Sequence, residues 1–244
     1  ALMDLCATTA NVREAKKVLE MLREDGMQPN VVIYSTLMNA IAKAADRGLR
    51  SAPDQAMEVI EMMKADKVVP NKYTYSSAID ACSAAAPHIG ARLSTELGTS
   101  LLDSMKANNV SANQVHYNSL LKGCALAAKA GDKESVSFAY RILQNMRIDR
   151  VKPNVRTYTA MIDTLVKSQD TNSLDRAMPL LEEMWRIGIR PTRVTYNVII
   201  NAYAMAADLA NQALREREMR RSKKERRAAL AGSVGGRSVG GEML

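Results

Sequence analysis

Aromatic side chains are scarce in this chain: 4% of its 244 residues, with one Trp and one Phe. Strands favour aromatic and β-branched residues, so this scarcity, set against abundant Ala, Leu and Met, points away from sheets and towards helices. Cysteine is scarce too. Cys6, Cys82 and Cys124 are too few and too far apart for a disulfide framework or a zinc pair, and they suit a reducing compartment. No run of about 18 apolar residues occurs, which excludes a spanning helix. The opening stretch ALMDLCATTA lacks both the basic start and the long apolar segment of a secretory signal. Also missing are a His-x-Glu with Cys-x-x-Cys, a Gly-rich phosphate loop and a nucleophile elbow, so the chain is read as a non-enzyme with no cofactor and no metal. His88 and His116 stand apart from any ligand cluster.

The chain does carry ample apolar surface, at 47% hydrophobic residues, and a formal net charge of +8. The charge divides unevenly. Residues 215–244 hold nine Arg or Lys against four Glu, a net of +5, which leaves +3 for everything before them. The excess of positive charge belongs mostly to the tail.

One segment recurs five times: VVIYSTLMNAIAKA from Val31, KYTYSSAIDACSAA from Lys72, QVHYNSLLKGCALA from Gln114, VRTYTAMIDTLVKS from Val155 and RVTYNVIINAYAMA from Arg193. The aligned tyrosines are Tyr34, Tyr75, Tyr117, Tyr158 and Tyr196, at intervals of 41, 42, 41 and 38 residues. A second block keeps the same register, ending LEMLREDGMQPN at Asn30, IEMMKADKVVPN at Asn71, LDSMKANNVSAN at Asn113, LQNMRIDRVKPN at Asn154 and LEEMWRIGIRPT at Thr192. Self-similarity at a period of 20 to 50 residues is the signature of a solenoid.

Both blocks read as helix. Ala15, Val18, Leu19 and Leu22 follow the i, i+3, i+4, i+7 spacing, as do Ala56, Val59, Ile60 and Met63, so each unit is a helical hairpin. Polar or breaking stretches such as DRGLRSAPD, APHIGARLS and KAGDK separate the two helices. Asp54 and Asp132 are expected as N-caps, and Pro70, Pro153 and Pro191 as stops for the second helix. Pro179 falls inside a second helix and is expected to kink it. One hairpin has too little apolar surface to offset its own ordering entropy, whereas stacked copies bury both faces of each internal pair. The repeated tyrosine is then chiefly a packing residue, and Cys82 with Cys124, which share one repeat position, fill a common packing slot.

Val-x-Thr-Tyr-Asn at the start of a unit and Met-x-x-x-Gly-x-x-Pro-Asn at its end closely resemble the pentatricopeptide repeat, most clearly over Val155–Thr192. Tetratricopeptide repeats carry Trp, Leu-Gly and Tyr along the first helix, but Trp185 lies in a second helix. The resemblance covers about residues 1–206 and implies an all-α, right-handed superhelical solenoid of stacked helix-turn-helix hairpins. Its units are expected at 31–71, 72–113, 114–154 and 155–192. A partial unit at 1–30 precedes them, and a degenerate unit with a basic helix at 193–231 and a flexible glycine-rich tail at 232–244 follow. The chain starts without Met inside a damaged copy, which is the expectation for a piece of a longer protein with further repeats upstream.

The resemblance also implies a function. First helices of this family line a groove that takes single-stranded RNA, one nucleotide per unit. The fifth and last residues of a unit read the base, which here are Ser35 with Asn71, Ser76 with Asn113, Asn118 with Asn154 and Thr159 with Thr192, and Asn197 begins a fifth pair. By the family's recognition code the two Ser with Asn units prefer adenine and Asn118 with Asn154 prefers cytosine or pyrimidines, while Thr159 with Thr192 is not a standard combination. The second residue packs against bases: Val32, Tyr73, Val115, Arg156 and Val194, of which Tyr73 and Arg156 depart from the family's valine. Lys43 and Lys167 match the family's phosphate-approaching lysine, where other copies have Ala84, Leu126 and Met205. The family further implies a mitochondrial or chloroplast setting, a monomer with no membrane association, and a role in RNA processing, stability or translation without catalysis.

Two alternatives stay open at this level. The same solenoid suits a protein-interaction scaffold within an organellar ribosome or another assembly, with the polar first-helix residues merely solvated. The run LREREMRRSKKERRAALAG, expected to be a helix stopped by Gly232, either adds basic side chains to phosphate binding or caps the solenoid with a polar face.

Overall fold

The computed structural model describes residues 8–170 and 172–234, and among them every regular element is a helix. The elements are α1 (Val12–Glu24), α2 (Val31–Asp46), α3 (Ala52–Ala65), α4 (Lys72–Ala107), α5 (Gln114–Lys129), α6 (Ser135–Ile148), α7 (Val155–Lys167), α8 (Ser173–Arg186) and α9 (Arg193–Val234). Two compact units divide the chain, Ala1–Ile199 and Ile200–Leu244.

Within the first unit the helices stack as consecutive hairpins. Each first helix packs on the second helix of its own hairpin, on the second helix before it, and on neighbouring first helices, as α5 does on α6, α4 and α7. Small residues permit the close approach. A Cβ added at Gly123 in α5 would lie 3.0 Å from the Ser83 Cα in α4. The core of each hairpin is aliphatic and tyrosine-rich, and Tyr34, Tyr75, Tyr117 and Tyr158 are all at most 1% exposed. Tyr196 departs from the expected packing role at 42% exposure. Cys82 and Cys124 are buried in the common slot, and burial pushes their thiols up to about 12 and about 11.

Several local expectations need correction. The stretch APHIGARLS is no loop: α4 runs through it and through Pro87, broken only at Gly90, whose φ of 86° is open to glycine. Asp132 does not cap α6, whose N-cap residue is Glu134. Its carboxylate instead accepts from the backbone N–H of Glu134 at 2.8 Å and of Ala91 at 2.7 Å, tying the turn to the restart of α4 after Gly90. Asp54 lies in the first turn of α3 behind Ser51 at the cap. Helix α8 continues across Pro179, losing one hydrogen bond without a break. Helix α9 extends past Gly232 to Val234 as a single 42-residue helix, because a lone glycine weakens a helix by only about 1 kcal/mol. Of the glycine-rich tail, residues 235–244 lie outside the described residues.

Nor do prolines stop the second helices. Each ends in a left-handed residue, whether a proline follows, as in four of them, or none does, as after Asn109: Gly26, Lys67, Asn109, Arg150 and Gly188 have φ between 56° and 78°. The following N–H reaches back five residues, as from Val68 to the Met63 carbonyl at 2.8 Å and from Val151 to Met146 at 2.9 Å. These are Schellman closures, which satisfy carbonyls that the helix end leaves free.

The buried tyrosines do more than fill space. Each hydroxyl reaches the last turn of its own unit's second helix, and in three units a cation from the preceding unit joins it. Tyr34 donates to Asp66, and Arg23 donates to both at 2.9 Å. Tyr117 donates to Asp149, which Lys106 also holds at 2.8 Å. Tyr158 donates to Glu183 at 3.1 Å, and Arg147 reaches the same carboxylate at 2.5 Å. In the second unit Ser104 and Asn108 meet Tyr75 at 2.9 and 2.8 Å. The hydrogen bonds from Tyr34 and then Arg23 hold Asp66 below the usual carboxylate range. Burial acts to raise Asp149, but the bonds from Lys106 and Tyr117 outweigh it and leave its carboxyl lowered as well.

Lys67→Gly relieves a left-handed non-glycine residue, worth about 1–2 kcal/mol, against an entropy loss of about 0.4–1 kcal/mol. The expected result is a net gain of about 0.5–1 kcal/mol in stability, read as a higher urea unfolding midpoint, and no gain is the contrary result. Tyr117→Phe strips a charged acceptor of its donor at a site that Lys106 and solvent partly compensate, and is expected to cost about 1–2 kcal/mol. Because Asp66 and Asp149 are depressed in the folded state, their contribution is fully present above the unfolded carboxylate pKa. It is lost as pH falls through their folded values, so unfolding midpoints should hold steady from pH 7 to about 5 and drop below about 4.

Candidate functional site

The polar residues singled out by the repeat register converge at the N-termini of the first helices. The residue that ends one unit caps the helix that begins the next. The Asn30 carboxamide oxygen accepts from the N–H groups of Val32 and Ile33, Asn71 from Thr74 at 2.9 Å, Asn113 from Val115 at 3.0 Å and Asn154 from Thr157 at 3.1 Å. An Asn cap of this kind is worth about 1 kcal/mol. It also leaves the oxygen committed to the helix while the NH₂ group keeps donors to spare.

A third residue joins each pair, and sequence reasoning missed it. It is the third residue of the following first helix: Thr74, His116, Thr157 or Thr195, each 0% exposed. Ser35 Oγ lies 2.8 Å from Thr74 Oγ1, which is 3.1 Å from Asn71 Oδ1. Ser76 Oγ lies 3.1 Å from His116 Nε2, and the Asn113 N–H donates to His116 Nδ1 at 3.0 Å. Thr157 Oγ1 donates to Asn118 Oδ1 at 2.7 Å and lies 3.1 Å from Asn154 Oδ1, while Asn118 Nδ2 donates to Asn154 Oδ1 at 3.3 Å. Thr159 Oγ1 lies 2.8 Å from Thr195 Oγ1, itself 3.3 Å from Thr192 Oγ1. The available signal was the spacing Asn-x-x-Thr at residues 71–74 and 154–157, a variant of the capping box that becomes Asn-x-x-His at 113–116 and Thr-x-x-Thr at 192–195.

The two members of each pair are therefore brought together through a buried hub, and Asn197 lies exposed in the last first helix. Beside the pairs, the second residues stand out into solvent: Val32 is 65%, Tyr73 76%, Val115 58% and Val194 62% exposed, and Arg156 is exposed as well. These residues and three of the pairs line three recesses, to which the pair Ser76 with Asn113 does not contribute. One of about 550 Å³ lies between Val32 and Tyr73 with Ser35, Asn71 and Lys43. Another of about 540 Å³ lies between Val115 and Arg156 with Asn118 and Asn154. The third, of about 430 Å³, lies between Arg156 and Val194 with Thr159 and Thr192. Each recess has apolar or planar walls and a polar floor, the form of a slot for a flat heterocycle.

Charge in the recesses is mixed. Lys43 makes no ion pair among the described residues, whereas the Lys167 ammonium is held by Asp163 at 2.6 Å, which lowers its value as a phosphate contact. Asp80 enters the second recess and accepts from Ser119. No group of three His, Cys, Asp or Glu suited to a metal occurs among the described residues.

Stacked helical hairpins with repeated polar pairs at the first-helix N-termini define a helical-repeat protein. A family model described as the pentacotripeptide-repeat region of PRORP matches residues 2–93 and 91–225. The chain belongs to the pentatricopeptide repeat family. It is 35% identical over 69 residues to the chloroplastic pentatricopeptide repeat-containing protein At5g48730 of Arabidopsis thaliana, and 34% identical over 80 residues to the chloroplastic PPR5 of Zea mays. Those matches take in 28% and 32% of the chain but only 13% and 16% of the relatives' lengths. Among solved structures, the fold is similar to the pentatricopeptide domain of Arabidopsis thaliana protein-only RNase P 1 in complex with tRNA. The TM-score is 0.59 at 20% identity, covering 83% of this chain and 95% of that one. It is also similar to PPR10 of maize in complex with an 18-nt psaJ RNA element, with a TM-score of 0.65 at 19% identity, covering 88% and 28%.

The hub residues give a direct test. Thr157→Val keeps the shape of the side chain but strands Asn118 Oδ1 and weakens the Asn154 cap. The expected loss is about 1–2 kcal/mol of stability, read as a lower melting temperature. An unchanged melting temperature would show that the hub carries no stabilising hydrogen bond.

Proposed function

We propose that this chain is a sequence-selective, single-stranded RNA-binding module of an organellar pentatricopeptide protein, acting in RNA processing, stability or translation by occupying a transcript. The observation that carries the reading is the recurrence, four times in register, of a hub-linked polar pair beside an exposed packing residue. A base inserted between Val32 and Tyr73, or between Val115 and Arg156, finds a wall to stack on and a hydrogen-bonding floor. Stacking of that kind contributes about 1–3 kcal/mol per base. On this reading Ser35 with Asn71 and Ser76 with Asn113 take adenine, and Asn118 with Asn154 takes cytosine or another pyrimidine. Thr159 with Thr192 reads a fourth base, and Asn197 contributes to a fifth position. Val32, Tyr73, Val115, Arg156 and Val194 pack the bases, while Lys43, and more weakly Lys167, approach the phosphates.

Support comes from relatives on two sides. The protein-only RNase P 1 domain and PPR10 were solved in complex with tRNA and with an 18-nt RNA element, and At5g48730 and PPR5 are chloroplastic. The proposed setting is accordingly a chloroplast or mitochondrion.

Fluorescence anisotropy of the chain with short RNAs tests the proposal. Single strands containing A-A-C should bind more tightly than scrambled or double-stranded ones, with affinity falling as salt rises because phosphate contacts release counterions. Equal, salt-labile binding to every RNA would assign the affinity to the basic stretch of α9. No binding at all would leave the helical scaffold for protein partners as the better reading.

A further inference from the structure

The first two units carry the same pair, Ser with Asn, yet their hubs differ: Thr74 in one and His116 in the other. The difference fixes a hydrogen atom. A backbone N–H can only donate, so the bond from Asn113 makes His116 Nδ1 an acceptor and leaves the ring proton on Nε2. Nε2 then donates to Ser76 Oγ, 3.1 Å away. With one lone pair of Ser76 so engaged, its own hydroxyl hydrogen must turn elsewhere, and the side chain is half-buried at the repeat position whose counterparts Ser35, Asn118 and Thr159 line the recesses. Thr74 imposes no such direction. Its hydroxyl lies within reach of both Asn71 Oδ1 at 3.1 Å and Ser35 Oγ at 2.8 Å, so Ser35 either donates inward or is left free to donate outward.

We infer that His116 is a specificity-determining residue that acts through Ser76, locking it as an outward hydrogen-bond donor so that the second unit accepts bases with an unprotonated ring nitrogen and rejects those with a ring N–H. Adenine N1 and cytosine N3 are such acceptors, whereas guanine N1 and uracil N3 carry hydrogen. The first unit, with a hydroxyl that turns either way, tolerates guanine better. His116 is a positioning residue with no route to the base, being 0% exposed. Its burial lowers its pKa, which favours the neutral ring that the arrangement requires. The inference rests on the RNA-binding reading above.

Two measurements test it on the full chain. Long-range ¹⁵N–¹H spectra should show His116 as the Nε2–H tautomer, and an Nδ1–H ring or an imidazolium at neutral pH would overturn the inference whatever the chain binds. In anisotropy titrations the unsubstituted chain should prefer A-A-C over A-G-C by about tenfold, the scale set by one unsatisfied donor pair. His116→Thr, which installs the hub already present in the first and third units, should narrow that ratio to about threefold or less. Discrimination between A-A-C and G-A-C should stay unchanged. Sequence-selective binding with an unchanged A-G-C ratio would overturn the role of His116 alone. Absence of RNA binding by the unsubstituted chain would instead overturn the reading beneath it.

Discussion

Every unit of this protein depends on closing one helix N-terminus. The first turn of a first helix leaves backbone N–H groups without partners, and the residue that ends the preceding unit supplies the acceptor. Asn30, Asn71, Asn113 and Asn154 each spend the carboxamide oxygen in this way. The same requirement sets where one unit meets the next and which atoms remain for a ligand. With the oxygen committed, these asparagines offer the groove N–H donors, and Asn154 already lends one to Gln114 Oε1 at 2.8 Å. On the proposed reading, a residue that reads a base does so with what capping leaves over.

At the same end of each hairpin, the tyrosine hydroxyls couple units along the stack. A cation from one unit, a carboxylate from the next and that next unit's tyrosine form one polar cluster at the edge of an apolar core, as Lys106, Asp149 and Tyr117 do. The partners are partly exposed, so each ion pair alone is worth little. The tyrosine changes the balance, because its ring is buried and its hydroxyl cannot leave. The variations follow the same logic. Where Ile187 takes the place of the acidic cap, Glu183 one turn earlier receives Tyr158, and where Asn108 does so, Ser104 assists. The unit beginning at Arg193 has a single long helix in place of a hairpin, and its tyrosine remains exposed.

The repeat itself was plain in the sequence because its two blocks recur in fixed register, and periodicity of that kind survives substitution of individual residues. Local punctuation was less legible. Prolines 70, 153 and 191 look like helix stops, yet the stops are left-handed residues such as Lys67 and Arg150, which no propensity scale flags. APHIGARLS looks like a loop because it holds Pro and Gly, yet its alanines favour helix and only Gly90 breaks it. The hubs Thr74, His116, Thr157 and Thr195 escaped notice for a different reason. Their importance lies in bonds across a unit boundary, about 40 residues apart in sequence, and only the fold brings those partners together.

Four consecutive side chains account for the economy of the design. Successive residues of a helix point about 100° apart, so the second, third, fourth and fifth positions of one turn face four directions. In α5 these are Val115 into solvent, His116 into the seam between units, Tyr117 into the hairpin core and Asn118 onto the groove floor. On the proposed RNA-binding reading, stability and recognition thus share one turn, with only one side chain common to both. Changing Val115 or Asn118 alters what the groove presents and leaves the core intact, whereas changing Tyr117 disturbs the core and leaves the groove surface in place. The third position alone belongs to both, since it bonds the cap behind it and the groove residue of the unit before. A substitution there, such as histidine for threonine, is the one that the proposed reading expects to alter recognition from beneath the surface.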